Sequence, residues 1–293
     1  MDEEMLKKLE ERLANGEISE DTYKKIKARY ESEDKLKEED LESEVDEDMD
    51  DIEGEVTDTG KRTKNVRLTG ASKISGCDCE YFSSSGASKV EGNVKADEAK
   101  ISGATKVEGD LIVKKLGSNG SIKVEGKTEA DFLELSGASK FEGLVKADRI
   151  KSSGSTKFES SLTVNDIESS GAFKAEHNVK AESFKASGAF VIEATLEASE
   201  IMLRPGADCR IGNIKGGDVL VEIGGGGGFF SFVKKGSLKV GTIKGDDIYL
   251  EGTKADLVEG NSVRIGPGCK IDTVRGKDIK VHESASVKNR EQL

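Results

Sequence analysis

The chain has 293 residues, of which 35% are charged and only 5% are aromatic, and it contains 34 glycines, 2 prolines and no tryptophan. This composition argues against the large aromatic core of a typical globular enzyme. The formal net charge is −12 and no basic cluster is present, so the sequence disfavours nucleic acid as a partner.

The N-terminal sequence MDEEMLKK lacks the cationic and apolar regions of a secretory signal. No apolar run approaches the ~18–20 residues that a membrane-spanning helix needs. We therefore expect a cytoplasmic protein without an integral membrane segment. The four cysteines fit that compartment, because cytoplasmic thiols normally stay reduced.

Residues 3–31 carry apolar side chains at helical spacing, interrupted at Asn15-Gly16. Gly16 is a suitable residue to end a first helix, and Ser19 is a suitable N-cap for a second one. The segment LEERLANGEISEDTYKKIKARYE resembles the SHOCT family of short helical hairpins. The resemblance implies that residues 1–31 form a hairpin domain that oligomerises or contacts other proteins.

Residues 31–58 contain 16 acidic residues and 2 lysines, whereas the rest of the chain is close to neutral. High charge with few apolar residues predicts a disordered acidic linker over residues 32–62. Adjacent acids could bind calcium loosely, but the segment lacks the central glycine and the final glutamate of a calcium loop. Solvated charge is the simpler interpretation.

A glycine recurs at a nearly constant interval through the middle of the chain: Gly70, Gly86, Gly103, Gly120, Gly137, Gly154, Gly171 and Gly188. With each glycine counted as position 0, apolar residues recur at positions 4, 8, 10 and 13, and small residues recur at position 1. We expect these columns to fill the interior of a solenoid. The predicted fold class is mainly β, a single-stranded β-helix over residues 63–293 with coils of about 17 residues, preceded by the small α-helical hairpin.

The first coil is one residue short, and a gap near Gly76 would place Cys77, Cys79 and Phe82 in the interior. After Ile201 the repeat changes to three related phrases, at residues 211–219, 240–248 and 271–279. The spacing of these phrases predicts two shorter coils in each of the two intervals between them. Roughly 13 coils at ~4.8 Å would form a rod ~60 Å long.

Position 3 is a column of lysines from Lys73 to Lys174, and position 5 is a column of glutamates from Glu91 to Glu193. Residues two apart on a strand share a face, so the two columns lie side by side. The pattern predicts a solvated face that neutralises its own charge. Lateral pairing of two rods, through weak and salt-sensitive contacts, is the alternative.

Five glycines, Gly224 to Gly228, lead into Phe229, Phe230 and Phe232. No Gly-Lys-Ser/Thr follows, which argues against a phosphate-binding loop. The segment is either a flexible bulge whose phenylalanines enter the interior or an exposed apolar tip that contacts a partner or another subunit.

The sequence gives little basis for an enzyme. Its two histidines, His177 and His282, are more than a hundred residues apart, and the outward acids alternate with lysines. Cys77 and Cys79 could form half of a metal site, but further ligands are lacking nearby. We therefore expect no catalytic site, no metal and no cofactor; a carbohydrate-active or acyl-transfer enzyme would need a cluster of acids or a histidine site.

Coils of the SGASKVEGNVKAD type, the VEG and GDDI phrases and the charged tail resemble the bactofilin family of polymer-forming cytoskeletal proteins across residues 66–287. The resemblance implies a right-handed β-helix, nucleotide-independent assembly end to end and a scaffolding function.

The C-terminal sequence shows no capping helix, which leaves an end available for polymerisation. Candidate assembly contacts are therefore Val281 and Val287, together with the three phenylalanines. The alternative function is a non-polymerising adaptor, in which the rod displays a partner-binding surface.

Overall fold

A computed structural model describes residues 62–223 and 236–293, and the backbone of residues 51–52 and 55–56. These residues form a parallel β-solenoid of about 13 coils, which confirms the predicted β-helix architecture. The predicted helical hairpin, residues 1–31, lies outside the described residues. Within the described ranges every regular element is a strand.

The strands are numbered β1 to β22 along the chain. Their bounds are β1 Asp51–Ile52, β2 Glu55–Val56, β3 Thr63–Leu68, β4 Ala71–Ile74, β5 Cys77–Ser84, β6 Ala87–Val90, β7 Val94–Ile101, β8 Ala104–Val107, β9 Leu111–Ser118, β10 Ser121–Val124, β11 Thr128–Leu135, β12 Ala138–Phe141, β13 Val145–Ser152, β14 Ser155–Phe158, β15 Leu162–Ser169, β16 Ala172–Ala175, β17 Val179–Pro205, β18 Asp208–Val221, β19 Ser237–Leu250, β20 Thr253–Ile265, β21 Lys270–Val281 and β22 Ser286–Gln292.

Strands pair in parallel with the equivalent strands one coil before and one coil after. Strand β10, for example, aligns Lys123 with Lys106 of β8 and with Lys140 of β12, which is one full repeat on each side. In the first coil Ile74 aligns with Val90, whereas Cys77 aligns with Val94. The step is thus one residue shorter at Ile74 than at Cys77, and the missing residue lies between them, as predicted from the gap near Gly76.

The later coils differ from the prediction in one interval. Strand β18 pairs directly with β19, aligning Ile211 with Val240, so the interval between the first two phrases is one coil with an insertion and not two coils. Direct stacking succeeds because both phrases present the same inward residues; Ile214 lies on Ile243, for example. The interval between the second and third phrases does contain two coils, since β20 pairs with both β19 and β21.

The interior confirms most of the predicted columns: positions 4, 8 and 13 are buried, and position 10 is buried or half-buried. The assignment of position 1 to the interior is wrong, because residues such as Ala87 and Ala138 are exposed. Alternate residues of a strand face opposite sides, so position 1 shares the outer face with the lysines. Position 2 is buried instead, as Ser72, Ser88, Thr105, Ile122, Ser139, Thr156, Phe173 and Phe190.

Some of the hydroxyl groups inside the core bond to each other. Thr105 Oγ1 donates to Ser84 Oγ at 2.8 Å, and Ser84 Oγ donates to Ser88 Oγ at 2.8 Å. Such pairing avoids the cost of burying hydroxyls without partners. Further along the rod the interior becomes aromatic, and the rings of Phe141 and Phe158 stack with their centroids 5.3 Å apart.

The recurring glycines form a column at one corner of the coil, which we call the glycine column. A Cβ atom added to Gly120 would lie 2.1 Å from the carbonyl oxygen of Gly103, one coil earlier. The same oxygen accepts a 2.8 Å hydrogen bond from the N–H of Ser121. The corner therefore has no room for a side chain, and the repeat is a steric requirement of stacking.

Substitution of Gly120 by alanine should destabilise the rod by about 1–3 kcal/mol, as overpacking does elsewhere. Gly117, which has nothing within 4 Å of an added Cβ, is the matched control, and its replacement by alanine should change stability by less than about 0.5 kcal/mol. Urea and thermal denaturation followed by far-UV circular dichroism measure both variants. Equal losses of unfolding free energy in the Gly120 and Gly117 variants would contradict the steric explanation.

Candidate functional site

An array of ion pairs runs along one flank of the rod. We call it the Lys/Glu ladder, and its members are Lys73, Lys89, Lys106, Lys123, Lys140, Lys157, Lys174, Glu91, Glu108, Glu125, Glu142, Glu159 and Glu176. Glu125 Oε1 lies 2.6 Å from Lys123 Nζ in the same coil and 3.1 Å from Lys106 Nζ one coil earlier. The other glutamates repeat this arrangement. Each carboxylate therefore links two coils.

The ladder explains how like charges can stack in register. A column of lysines alone would be repulsive, but each ammonium group here has a carboxylate from the neighbouring column between it and the next lysine. Hydrogen bonds from Lys123 and then Lys106 lower the pKa of Glu125, and the bonds to Glu125 and Glu142 raise the pKa of Lys123. These contacts confirm the prediction that this face neutralises its own charge.

The lowered pKa values predict how stability depends on pH. A glutamate whose pKa is lower in the folded state stabilises the fold above its unfolded pKa, and this contribution disappears as the pH falls through the folded value. Replacement of Glu108, Glu125 and Glu142 by glutamine should therefore lower the melting temperature at pH 7, and the difference from the unsubstituted chain should close below the ordinary glutamate value of 4.5.

The matched control replaces Glu80, Glu129 and Glu134, which lie outside the ladder, by glutamine and makes the same change in charge. Melting curves between pH 3 and 7 at low salt compare the two triple variants. An equal fall in melting temperature at pH 7 in both triple variants would show that net charge, and not the ladder, determines the effect. Added salt should reduce the effect of the ladder, because these side chains are accessible to solvent.

A shallow groove of about 670 Å³ lies on another flank and extends across strands β7, β9, β11, β13 and β15. Small residues of position 10, such as Ala130 and Ala147, line it between the charged residues of positions 9 and 11. The long strands of each coil bend here, since two successive residues face outward at Asp97 and Glu98.

Charges of both signs line the groove and partly pair. Lys114 Nζ lies 3.0 Å from Asp97 Oδ1, and Arg62 Nη2 bonds to Asp97 Oδ2. The hydrogen bond from Lys114 is the main reason that the pKa of Asp97 is lowered, with Arg62 contributing charge. Asp97 is thus held as a paired carboxylate, which suits it for charge recognition more than for proton transfer.

The other groups considered for chemistry lie apart from the groove. His177 is exposed, at a position where earlier coils carry glycine, and His282 Nδ1 lies 2.9 Å from Ser284 Oγ. Burial raises the pKa of the Cys269 thiol to about 11 and also raises that of Cys209. Cys79 is buried and Cys77 half-buried, as the alignment predicts.

Metal ligands and membrane-spanning helices are both lacking in the described part of the chain. Across residues 62–223 and 236–293, no group of three or more His, Cys, Asp or Glu side chains is arranged to hold a metal ion. The same residues include no helix with the length and apolar character needed to cross a membrane.

The candidate assembly residues fall into two groups. Phe229, Phe230 and Phe232 lie outside the described residues. Val281 ends β21 and Val287 belongs to β22, so both lie in the last coils, where they are half-buried and pack against the core. Ile279 and Ala285 have the same half-buried environment; sequence reasoning missed them, although Ile279 follows the period-2 pattern that leads to Val281.

The first coil at the opposite end also carries short strands. Strand β1 pairs in parallel with β3, and β2 pairs in parallel with β4. Residues 51–56 belong to the segment predicted as the acidic linker. Backbone pairing from within this segment had no signal in the sequence beyond the alternation of acidic and apolar residues in Asp51-Ile52 and Glu55-Val56.

Comparison with known proteins finds a local match. A stretch of 46 residues, 16% of this chain, is 54% identical to the uncharacterized protein YhbF of Bacillus subtilis (strain 168) and covers 19% of that protein. The chain thus matches about a fifth of that relative's length, which is too little to assign a family. No protein-family model matches the chain, and no solved structure matches it significantly.

Proposed function

We propose that this protein is a structural scaffold that assembles end to end through the coils of its β-helix, in the manner of the bactofilin family that its repeats resemble. Assembly needs no nucleotide, because the joint consists of backbone and apolar contacts between coils. The N-terminal residues 1–31 serve oligomerisation or recruitment, and the scaffold acts in the cytoplasm.

The observation that carries this proposal is the C-terminal end of the rod. Strand β22 pairs with β21 and with no other strand of the described residues. Its outer edge therefore presents N–H and C=O groups that a further strand could pair with. A parallel solenoid is extended by any strand that continues its register, and a second copy supplies such strands.

Side chains at the same end support the proposal. Ile279, Val281, Ala285 and Val287 pack against the core but remain half-buried, whereas the corresponding apolar columns in the middle of the rod are fully covered by the next coil. Covering them would remove further apolar surface from water, at ~25 cal/mol per Å². The end is thus both a backbone edge and a partly apolar surface.

Negative-stain electron microscopy of the full chain at near-physiological salt, without nucleotide, tests the proposal. Filaments are expected for the unsubstituted protein, and Val287→Lys should abolish them or raise the protein concentration that they require, since a charge would be buried in the joint. Leu144→Lys is the matched control: Leu144 is 46% exposed on the flank, so this variant should form filaments normally.

Short rods alone, at every concentration tested, would overturn end-to-end assembly. A discrete oligomer that is lost when residues 1–31 are deleted would favour the adaptor alternative, with the rod as a rigid display surface. Thermal denaturation of both lysine variants checks that each rod is folded, so that a failure to assemble is not confused with unfolding.

A further inference from the structure

The N-terminal end of the rod differs from the C-terminal end, because strands of the chain itself already lie on it. In the parallel register, Asp51 is the partner of Arg67 and Ile52 is the partner of Leu68. Glu55 is the partner of Lys73, and Val56 is the partner of Ile74. Each short strand therefore places an acidic residue at a basic register position and an apolar residue at a core position.

Charge makes this pairing selective. Residues 62–76 of the first coil contain four basic residues, Arg62, Lys64, Arg67 and Lys73, and no acidic residue, whereas residues 31–58 carry 16 acidic residues and 2 lysines. The four basic side chains are exposed. An acidic strand is thus the complementary addition to this edge, by the rules of strand addition and electrostatic complementarity.

The competing occupant is the C-terminal coil of another copy. Strand β22 has the sequence SVKNREQ, with Lys288 and Arg290 against one acid, Glu291. Docking of this strand on the basic first coil would bring like charges together, and like charges directly opposite each other are destabilising. The acidic segment therefore matches the N-terminal edge better than the C-terminal coil does.

We propose that the outer edge of β3 and β4 is an acceptor site for acidic strands, that β1 and β2 of the same chain occupy it, and that this occupancy closes the N-terminal end of the rod to other copies. The consequence for assembly rests on the proposed scaffold function; the occupancy does not. Growth at the N-terminal end then requires release of the acidic strands, and salt, which screens the charges, promotes that release.

The test uses the full chain with Asp51→Lys and Glu55→Lys together. Hydrogen exchange of peptides covering β3 and β4, at a concentration below assembly, should become about tenfold faster, as a loss of about 1.4 kcal/mol of protection gives. The matched control, Asp46→Lys with Asp48→Lys, makes the same change in charge within the acidic segment and should leave exchange unchanged. Adding Arg67→Glu to the Asp51→Lys, Glu55→Lys variant should restore part of the protection of β3, because it reverses the charge of the register partner of residue 51.

Assembly is measured separately, as the concentration at which scattering appears. The Asp51→Lys, Glu55→Lys variant should assemble at a several-fold lower concentration than the unsubstituted chain. Unchanged exchange in that variant overturns the acceptor site whatever the scattering shows, and so does equal acceleration in the control. Faster exchange with no scattering at any concentration supports the acceptor site while counting against the scaffold function. Faster exchange with an unchanged assembly concentration overturns the claim that occupancy closes this end.

Discussion

Close approach of backbones at the glycine column is the contact on which the other regularities of the rod depend. At each recurring glycine from Gly86 to Gly171, a carbonyl oxygen of the preceding coil lies only 1.8 to 2.1 Å from the position that a Cβ atom would take. With no side chain to hold the corner open, successive coils stack at the spacing of a parallel sheet. The Lys/Glu ladder and the hydroxyl pair of Thr105 and Ser84 follow, because both join side chains on adjacent coils.

The sequence predicts the periodic part of this architecture well, since the period itself is visible in Gly70 to Gly188. The sequence predicts the architecture less well where the same residues fit two different arrangements. Position 1 holds small residues, but alanine is equally suited to an exposed corner, and only the strict alternation from position 4 identifies position 2 as interior. Spacing alone could not distinguish two coils from one coil with an insertion between Ile211 and Val240, because register is set by matching inward residues such as Ile214 and Ile243.

The candidate site was predictable to a similar extent. The ladder follows from residue columns two apart, whereas no distinctive residue type in the sequence marks the break in alternation at Asp97 and Glu98, where the groove lies. The ladder flank and the C-terminal end differ in the groups that they leave available for contacts with another molecule. Charges on the ladder flank are largely satisfied within the chain, but the backbone edge of β22 has no strand of the described residues beyond it. Association through such a surface extends the rod along its own axis and does not broaden it.

The unequal coils have a consequence for folding. In a stack of identical coils, a strand could pair with the equivalent strand of any other coil at nearly the same energy. A perfectly periodic chain could therefore fold with its strands in several alternative registers. The short first coil at Ile74 to Cys77, the insertion between β18 and β19 and the shorter steps that follow it are each compatible with one alignment only. These irregular coils act as fixed reference points, and they allow a repetitive sequence to reach a single native arrangement.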